Sequence, residues 1–342
     1  MPRLPILRPI LHALLGPLAL VAMLFALPAR AEVARVATDI APVHSLVSAV
    51  MGELGTPSLI LAPGASPHDH SMRPSEAGAL ADADLVFWVG PALTPWLEGA
   101  LDRLAGKATV VTLSQVDGVV RWPARQGIEL LPVESSLDAH LWLDPDNGAA
   151  WIEAIRAALS AADPQNGDIY DANAAKAQDS LIETDLNIRA MLSAHALTPY
   201  LAVHDSWQYF ERHFDLAPRP AILDSEADRP GPAYLLALQD LVKARDISCV
   251  LAEPPVNQSL IRTVFGSREV SVKVADPLGA SLAPGPDLYG KLLSDIGRAI
   301  SSCGTERPPG VSPATRATGA SLRSAQEGMR PRRSAQAHPQ SG

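Results

Sequence analysis

From Glu32 onward, short runs of aliphatic and β-branched residues alternate with longer stretches whose apolar positions recur every three or four residues. VARVAT, PSLIL, DLVFWV and TVVTLS predict strands. Between them PVHSLVSAVMGEL, PSEAGALADA and TPWLEGALDRLA predict helices; Leu46, Val47, Val50 and Leu54 share one face of the first, and Pro74 suits the first turn of the second. A polar, irregular stretch follows, then HLWLDP, in which Asp144 caps and Pro145 opens the helix over DNGAAWIEAIRAALSA.

The alternation stops at Asp163-Pro164. From there to about Ala196 there is no further proline, Leu181, Ile188 and Leu192 keep helical spacing, and charged residues fill the other faces. A helix of ~30 residues would be ~45 Å long, the span of a whole domain. Beyond it the strands YLAVH, AIL, SCVLAEP and VSVKVADP alternate with the helices SWQYFERHF, GPAYLLALQDLVKARD and NQSLIRTVFGS, and LYGKLLSDIGRAISSC closes the pattern. The expectation is an α/β protein of two (β/α) lobes with mostly parallel sheets, linked by one long helix. The lobes fall at residues 32–162 and 198–304 and the linking helix at 163–197. One continuous doubly wound sheet is the alternative.

Composition changes the reading at both ends. Arg3 and Arg8 precede the apolar run LHALLGPLALVAMLFAL, and Pro28-Ala29-Arg30-Ala31 offers small residues for cleavage, so residues 1–31 read as a signal peptide cut after Ala31. No later segment has the ~20 uninterrupted apolar residues of a membrane span. Residues 305–342 are rich in Pro, Ser, Ala, Gly and Arg and read as a disordered, basic tail. The formal charge of the whole chain is -9, so the body is more acidic still, which argues against nucleic acid as a partner and is compatible with attracting cations. Cys249 and Cys303 are the two cysteines; in an exported chain an even pair reads as a disulfide, with two unpaired thiols as the alternative.

In open parallel sheets, ligands gather beyond the carboxyl ends of the strands. His204 ends YLAVH, and Asp205 after it can cap the next helix with Gln208. His140 at the mouth of HLWLDP is counted with the strand ends. His68 lies after PSLIL in PGASPHDHSMRPS, a loop stiffened by Pro63, Pro67 and Pro74, and Asp276 ends VSVKVADP. Three imidazoles and a carboxylate suit tetrahedral Zn2+. Other candidates have plainer readings. His44 is a surface or packing residue, His195 a helix-end residue and His213 a solvent-facing one. His70 reads as a residue behind a ligand or in solvent, and Asp69 as an orienting carboxylate or an exposed turn residue. Glu253 and Glu226 either cap a helix or accept an N–H from a ligand.

The segments PGASPHDHSMRPS, ADLVFWVGPALTPWL, DAHLWLDP, LAVHDSWQYFERHF, CVLAEPP and VADPLG occur in that order. In this they resemble periplasmic zinc-binding proteins of ABC uptake systems, the ZnuA type, across nearly all of residues 32–304. The resemblance implies two lobes, a rigid linking helix and one metal in the cleft between them. It implies His68, His140 and His204 as ligands, with Asp276 at the place of the carboxylate that completes the site in many relatives and that a water or another acid takes in some. It also supports the Cys249–Cys303 bridge. Manganese-binding relatives carry glutamate where this chain has His204, so zinc is the expected metal. Residues 114–139 contain no histidine, whereas zinc members often carry a His/Asp-rich loop before the second ligand. The implied protein is a periplasmic, monomeric Zn2+ receptor that serves an ABC permease and its ATPase. A manganese or iron receptor, or an adhesin on the same scaffold, is one alternative. A zinc hydrolase is the other, against which stand the lack of H-E-x-x-H and of a carboxylate clearly placed as general base.

Overall fold

The computed structural model describes residues 33–193, 199–225 and 229–303; the expected signal peptide and tail, His195 and Glu226 lie outside them. In the first half, β1 (Val36–Thr38), β2 (Ser58–Leu59), β3 (Leu85–Trp88) and β4 (Thr109–Thr112) form one sheet in the order β2-β1-β3-β4, and every pairing is parallel. Helices α1 (Ala41–Met51), α2 (Pro74–Asp82) and α3 (Pro95–Leu104) make the crossovers. β1 and β3 are buried along their whole length, which explains why they read as unbroken apolar runs.

The second half repeats the plan. β7 (Leu201–His204), β8 (Ala221–Leu223), β9 (Cys249–Ala252) and β10 (Ser271–Val274) pair in parallel in the order β8-β7-β9-β10. Counted along the chain, each sheet runs second, first, third, fourth, so the lobes share one topology. The helices here are α6 (Gln208–His213), α7 (Pro232–Ala244), α8 (Gln258–Phe265) and α9 (Leu288–Ser302). Two separate sheets replace the alternative of one continuous sheet. The Cys249–Cys303 disulfide, with Cα atoms 5.6 Å apart, ties β9 to the end of α9.

Between the halves run α4 (Pro145–Ala162) and the long α5 (Gly167–Ser193). Asp144 caps α4 as expected, accepting the Asp146 N–H at 2.9 Å. α5 spans 27 residues, and Tyr170, Ala174, Leu181, Ile188 and Leu192 form its buried stripe. That stripe belongs to one apolar core that takes in Val43 and Phe87 of the first lobe and Phe210, Leu251 and Leu292 of the second. Close approach helps to weld it. A Cβ on Gly148 of α4 would run into the Tyr289 hydroxyl, and that hydroxyl donates to the Trp142 carbonyl at 2.7 Å.

Two local expectations need correction. The polar stretch before HLWLDP is an antiparallel hairpin, β5 (Pro123–Gln126) and β6 (Leu131–Leu137). Most of β6 is exposed, so it lacks the alternating apolar signal of a half-buried strand. HLWLDP itself contains a short 3-10 turn, Leu141–Leu143, so His140 does not end a strand.

Candidate metal centre

The loop after β2 is pinned from both sides. Trp96 Nε1 donates to the Pro67 carbonyl at 2.8 Å, and the His68 N–H donates to Ser66 Oγ at 3.3 Å. His70 turns away toward α2: its Nε2 lies 2.8 Å from Glu76 Oε2, and its ring lies 4.9 Å from that of Trp96. Glu76 also accepts the Arg73 N–H at 2.7 Å, so His70 fastens the loop to the start of a helix. Asp69 is exposed at the turn.

His140 is held by Asp138, a residue that the sequence reading did not single out. Asp138 Oδ1 lies 2.8 Å from His140 Nδ1 and accepts the His140 N–H at 3.0 Å. Asp138 Oδ2 in turn accepts from Gln208 Nε2 at 3.1 Å. The available signal was the D-x-H spacing of DAH, which lets one carboxylate reach both the backbone and the ring two residues on. Trp142, in the turn just after His140, donates from Nε1 to the Pro277 carbonyl at 2.6 Å, which ties that turn to the second lobe.

His204 ends β7, where β7 lies beside β9, and Glu253 follows β9. In a sheet of this order the junction between first and third strands is the topological switch point. Glu253 Oε2 lies 3.4 Å from His204 Nδ1, and Glu253 Oε1 accepts Ser206 Oγ at 2.5 Å. Burial opposes the charge on Glu253, but the hydrogen bonds from His204 and Ser206 hold its carboxyl below the usual range. A carboxylate on Nδ1 places the imidazole proton there and leaves the Nε2 lone pair to face a ligand. His140 and His204 both have this arrangement.

The three rings converge. Their centroids lie 5.9 Å apart for His68–His140, 6.2 Å for His68–His204 and 5.1 Å for His140–His204. One ring nitrogen from each falls within 4.8 Å of the other two, and His140 and His204 are buried. Asp276 is not in that group. It lines a cavity of about 230 Å³ together with Ser66, His204 and Glu253, and its carboxylate accepts the backbone N–H groups of Leu278, Gly279 and Ala280 at 2.9, 2.9 and 2.6 Å.

Asp205 does not cap α6. It takes a bidentate contact from Arg125 of the hairpin, whose Nε lies 3.0 Å from Asp205 Oδ2 and whose Nη1 lies 3.0 Å from Glu211 Oε2. Tyr200 donates to the other Glu211 oxygen at 3.2 Å. Burial pushes the Glu211 carboxyl up to about 7, against the pull of Arg125. The hairpin thus grips the residue next to His204.

Two other histidines separate here. His44 packs in the core with Nε2 3.1 Å from the Pro57 carbonyl, and burial lowers its pKa. The side chain of His213, expected in solvent, is buried among Asp144, Asp146 and Asp185 because the end of α6 closes over the start of α4 and the side of α5.

The family model described as zinc-uptake complex component A, periplasmic (ZnuA), matches residues 36–303. A high-affinity zinc uptake system protein ZnuA from Paracoccus denitrificans is 36% identical over 306 residues, which cover 81% of this chain and 94% of the relative. The protein of that name from Brucella abortus is 30% identical over 303 residues, covering 78% and 91%. A solved structure described as the crystal structure of ZnuA superposes with a TM-score of 0.69 at 21% identity, over 79% of this chain and 99% of that one, and so shares the fold.

Proposed function

The chain belongs to the ZnuA family of periplasmic zinc-uptake components, and on that premise we propose that it captures Zn2+ between its lobes and delivers it to an ABC permease driven by an ATPase. His68, His140 and His204 are the ligands. The observation that carries this reading is the convergence of three imidazoles, two of them backed by a carboxylate on Nδ1. Tetrahedral Zn–N bonds of ~2.0–2.1 Å put neighbouring nitrogens ~3.4 Å apart, which lies inside the 4.8 Å that bounds the three nitrogens here. Neutral nitrogen donors favour zinc over manganese, which prefers hard oxygen. The fourth position falls to Asp276, on the wall of the adjoining cavity, or to a water. Glu253 and Asp138 fix the rings and supply negative charge behind them.

As cargo, the ion has to be held tightly yet remain releasable, and a site shared by the loop after β2, the turn after β6 and the end of β7 meets both needs. Each segment brings one ligand, so displacing any one of them weakens the whole. The receptor acts as a periplasmic monomer, and no helix among the described residues is long and apolar enough to cross a membrane. Titration with a competing zinc chelator tests the assignment. His140→Ala and His204→Ala should each lose more than ~100-fold in affinity, given structural zinc affinities of ~10–16 kcal/mol spread over four contacts. Wild-type affinity in both variants would remove the site.

A further inference from the structure

A second histidine–carboxylate cluster shares no residue with the cleft. It lies where the start of α4, the side of α5 and the end of α6 meet. His213 Nδ1 is 2.9 Å from Asp144 Oδ1 and 3.6 Å from Asp146 Oδ2. A donor atom from each of these three side chains falls within 4.8 Å of the others. On the far edge of the ring, Nε2 lies 2.5 Å from Asp185 Oδ1, while Asp185 Oδ2 accepts Arg189 Nε at 2.8 Å. Arg189 also places Nη2 2.9 Å from His213 Nε2 and 3.1 Å from the His213 carbonyl.

The arrangement on α5 is that of a carboxylate placed behind a metal-binding imidazole. Asp185 holds the Nε2 proton, so a cation that displaces the Nδ1 proton shared with Asp144 would meet the Nδ1 lone pair between Asp144 and Asp146. The charge count asks for a cation at that point. Even with His213 protonated, the three carboxylates of Asp144, Asp146 and Asp185 face only two positive charges, those of Arg189 and the imidazolium, so one negative charge remains uncompensated. The neighbouring Tyr289 on α9 registers the same field: burial first, then Asp144 and Asp146, hold its hydroxyl proton well above the ordinary tyrosine range. Burial opposes a charge on His213 as well, but hydrogen bonds with Asp144 and Asp185 outweigh it and raise the imidazole above the usual histidine value. Solvent reaches the cluster at Asp146, whose side chain is 81% exposed, while that of His213 is 6% exposed.

We propose that Asp144, Asp146 and His213 form a second site for a divalent cation, outside the cleft, with Asp185 orienting the imidazole and water completing the shell beside Asp146. One nitrogen and two carboxylate oxygens suit Zn2+ and also admit Mn2+. This site binds more weakly than the cleft, because one of its ligands is a solvated side chain that must be ordered and Asp144 already spends Oδ1 on capping α4.

Zinc titrated calorimetrically into the metal-stripped, exported chain, with native mass spectrometry to count ions, tests the site. Two equivalents should bind, one tight and one weaker. Asp146→Asn, at a largely exposed side chain, should weaken the second equivalent at least 10-fold and leave the first unchanged. His213→Gln, checked for folding by circular dichroism, should do the same. In His140→Ala the tight equivalent should go and the weaker one persist, so failure of the cleft assignment is distinguishable from failure of this one. A single equivalent in the wild-type chain, or a second equivalent that survives both Asp146→Asn and His213→Gln, overturns the proposal.

Discussion

The two lobes make an informative pair because they are one topology used twice. In each, the first strand pairs in parallel with the second, and the register aligns Thr38, opposite Leu59, with His204, opposite Leu223. The next residue is an aspartate in both lobes, Asp39 and Asp205. In the first lobe Asp39 is closed off by the backbone, its oxygens accepting the Ile40 and Val89 N–H groups at 2.8 and 2.7 Å. In the second, Asp205 meets a guanidinium from a hairpin far away in sequence, and the residue before it carries an imidazole. A strand end of the same shape is therefore a structural plug in one half and carries one member of the histidine cluster in the other. What separates them is the neighbouring equipment, a ligand and a counter-charge, and not the fold.

Removing that equipment should bring the second lobe down toward the first, with the largest effect at Arg125. Arg125→Met leaves Asp205 and Glu211 buried without their cation, and breaking a buried ion pair from one side costs ~3–5 kcal/mol. Urea denaturation would read this as a lower midpoint at unchanged slope; a loss below ~1 kcal/mol would mean that the hairpin is not a structural partner of the lobe. Next come the carboxylates behind the ligands. Asp138→Asn should cost zinc affinity ~10–100-fold, and Glu253→Gln less, about 10-fold, because its bond to the ring is 3.4 Å against 2.8 Å for Asp138. Equal affinity in all three proteins would show that the rings are held by packing alone.

The smallest effect belongs to Asp39. Burial pushes its carboxyl up to about 7, against hydrogen bonds from Val89 and Ile40 that favour the charge. The folded value lies above the unfolded one, so this group's contribution is fully present below about pH 4 and is lost as pH rises through about 7. Asp39→Asn should cost about 1 kcal/mol at pH 5, where the folded carboxyl is neutral, because the amide nitrogen cannot accept one of the two N–H groups. It should also flatten part of the wild-type decline toward pH 8. Thermal melts across that range would show it, and parallel pH profiles for the two proteins would contradict it.

The sequence carried the large features because they are periodic. Leu181, Ile188 and Leu192 kept helical spacing and are buried on α5, and four apolar runs in each half became the two sheets. That His68 and His204 would come together was legible from the position of their loops after strands, a rule that needs only the order of elements. The details that failed depend on partners remote in sequence. Nothing near Arg125 announces that it will meet Asp205 and Glu211 across 80 and 86 positions. His213 sits on a helix of six residues, too short for its polar face to be read, and its carboxylates come from two other helices. The hairpin escaped because an exposed ribbon need not alternate.

The shared stripe along α5 also limits how such a vessel can be emptied. Two halves fused along a common oily seam cannot swing wide without wetting it, so discharge has to begin at the rim. The segment between Pro63 and Pro74 brings one imidazole to the cluster, and an indole and a glutamate help to fasten it.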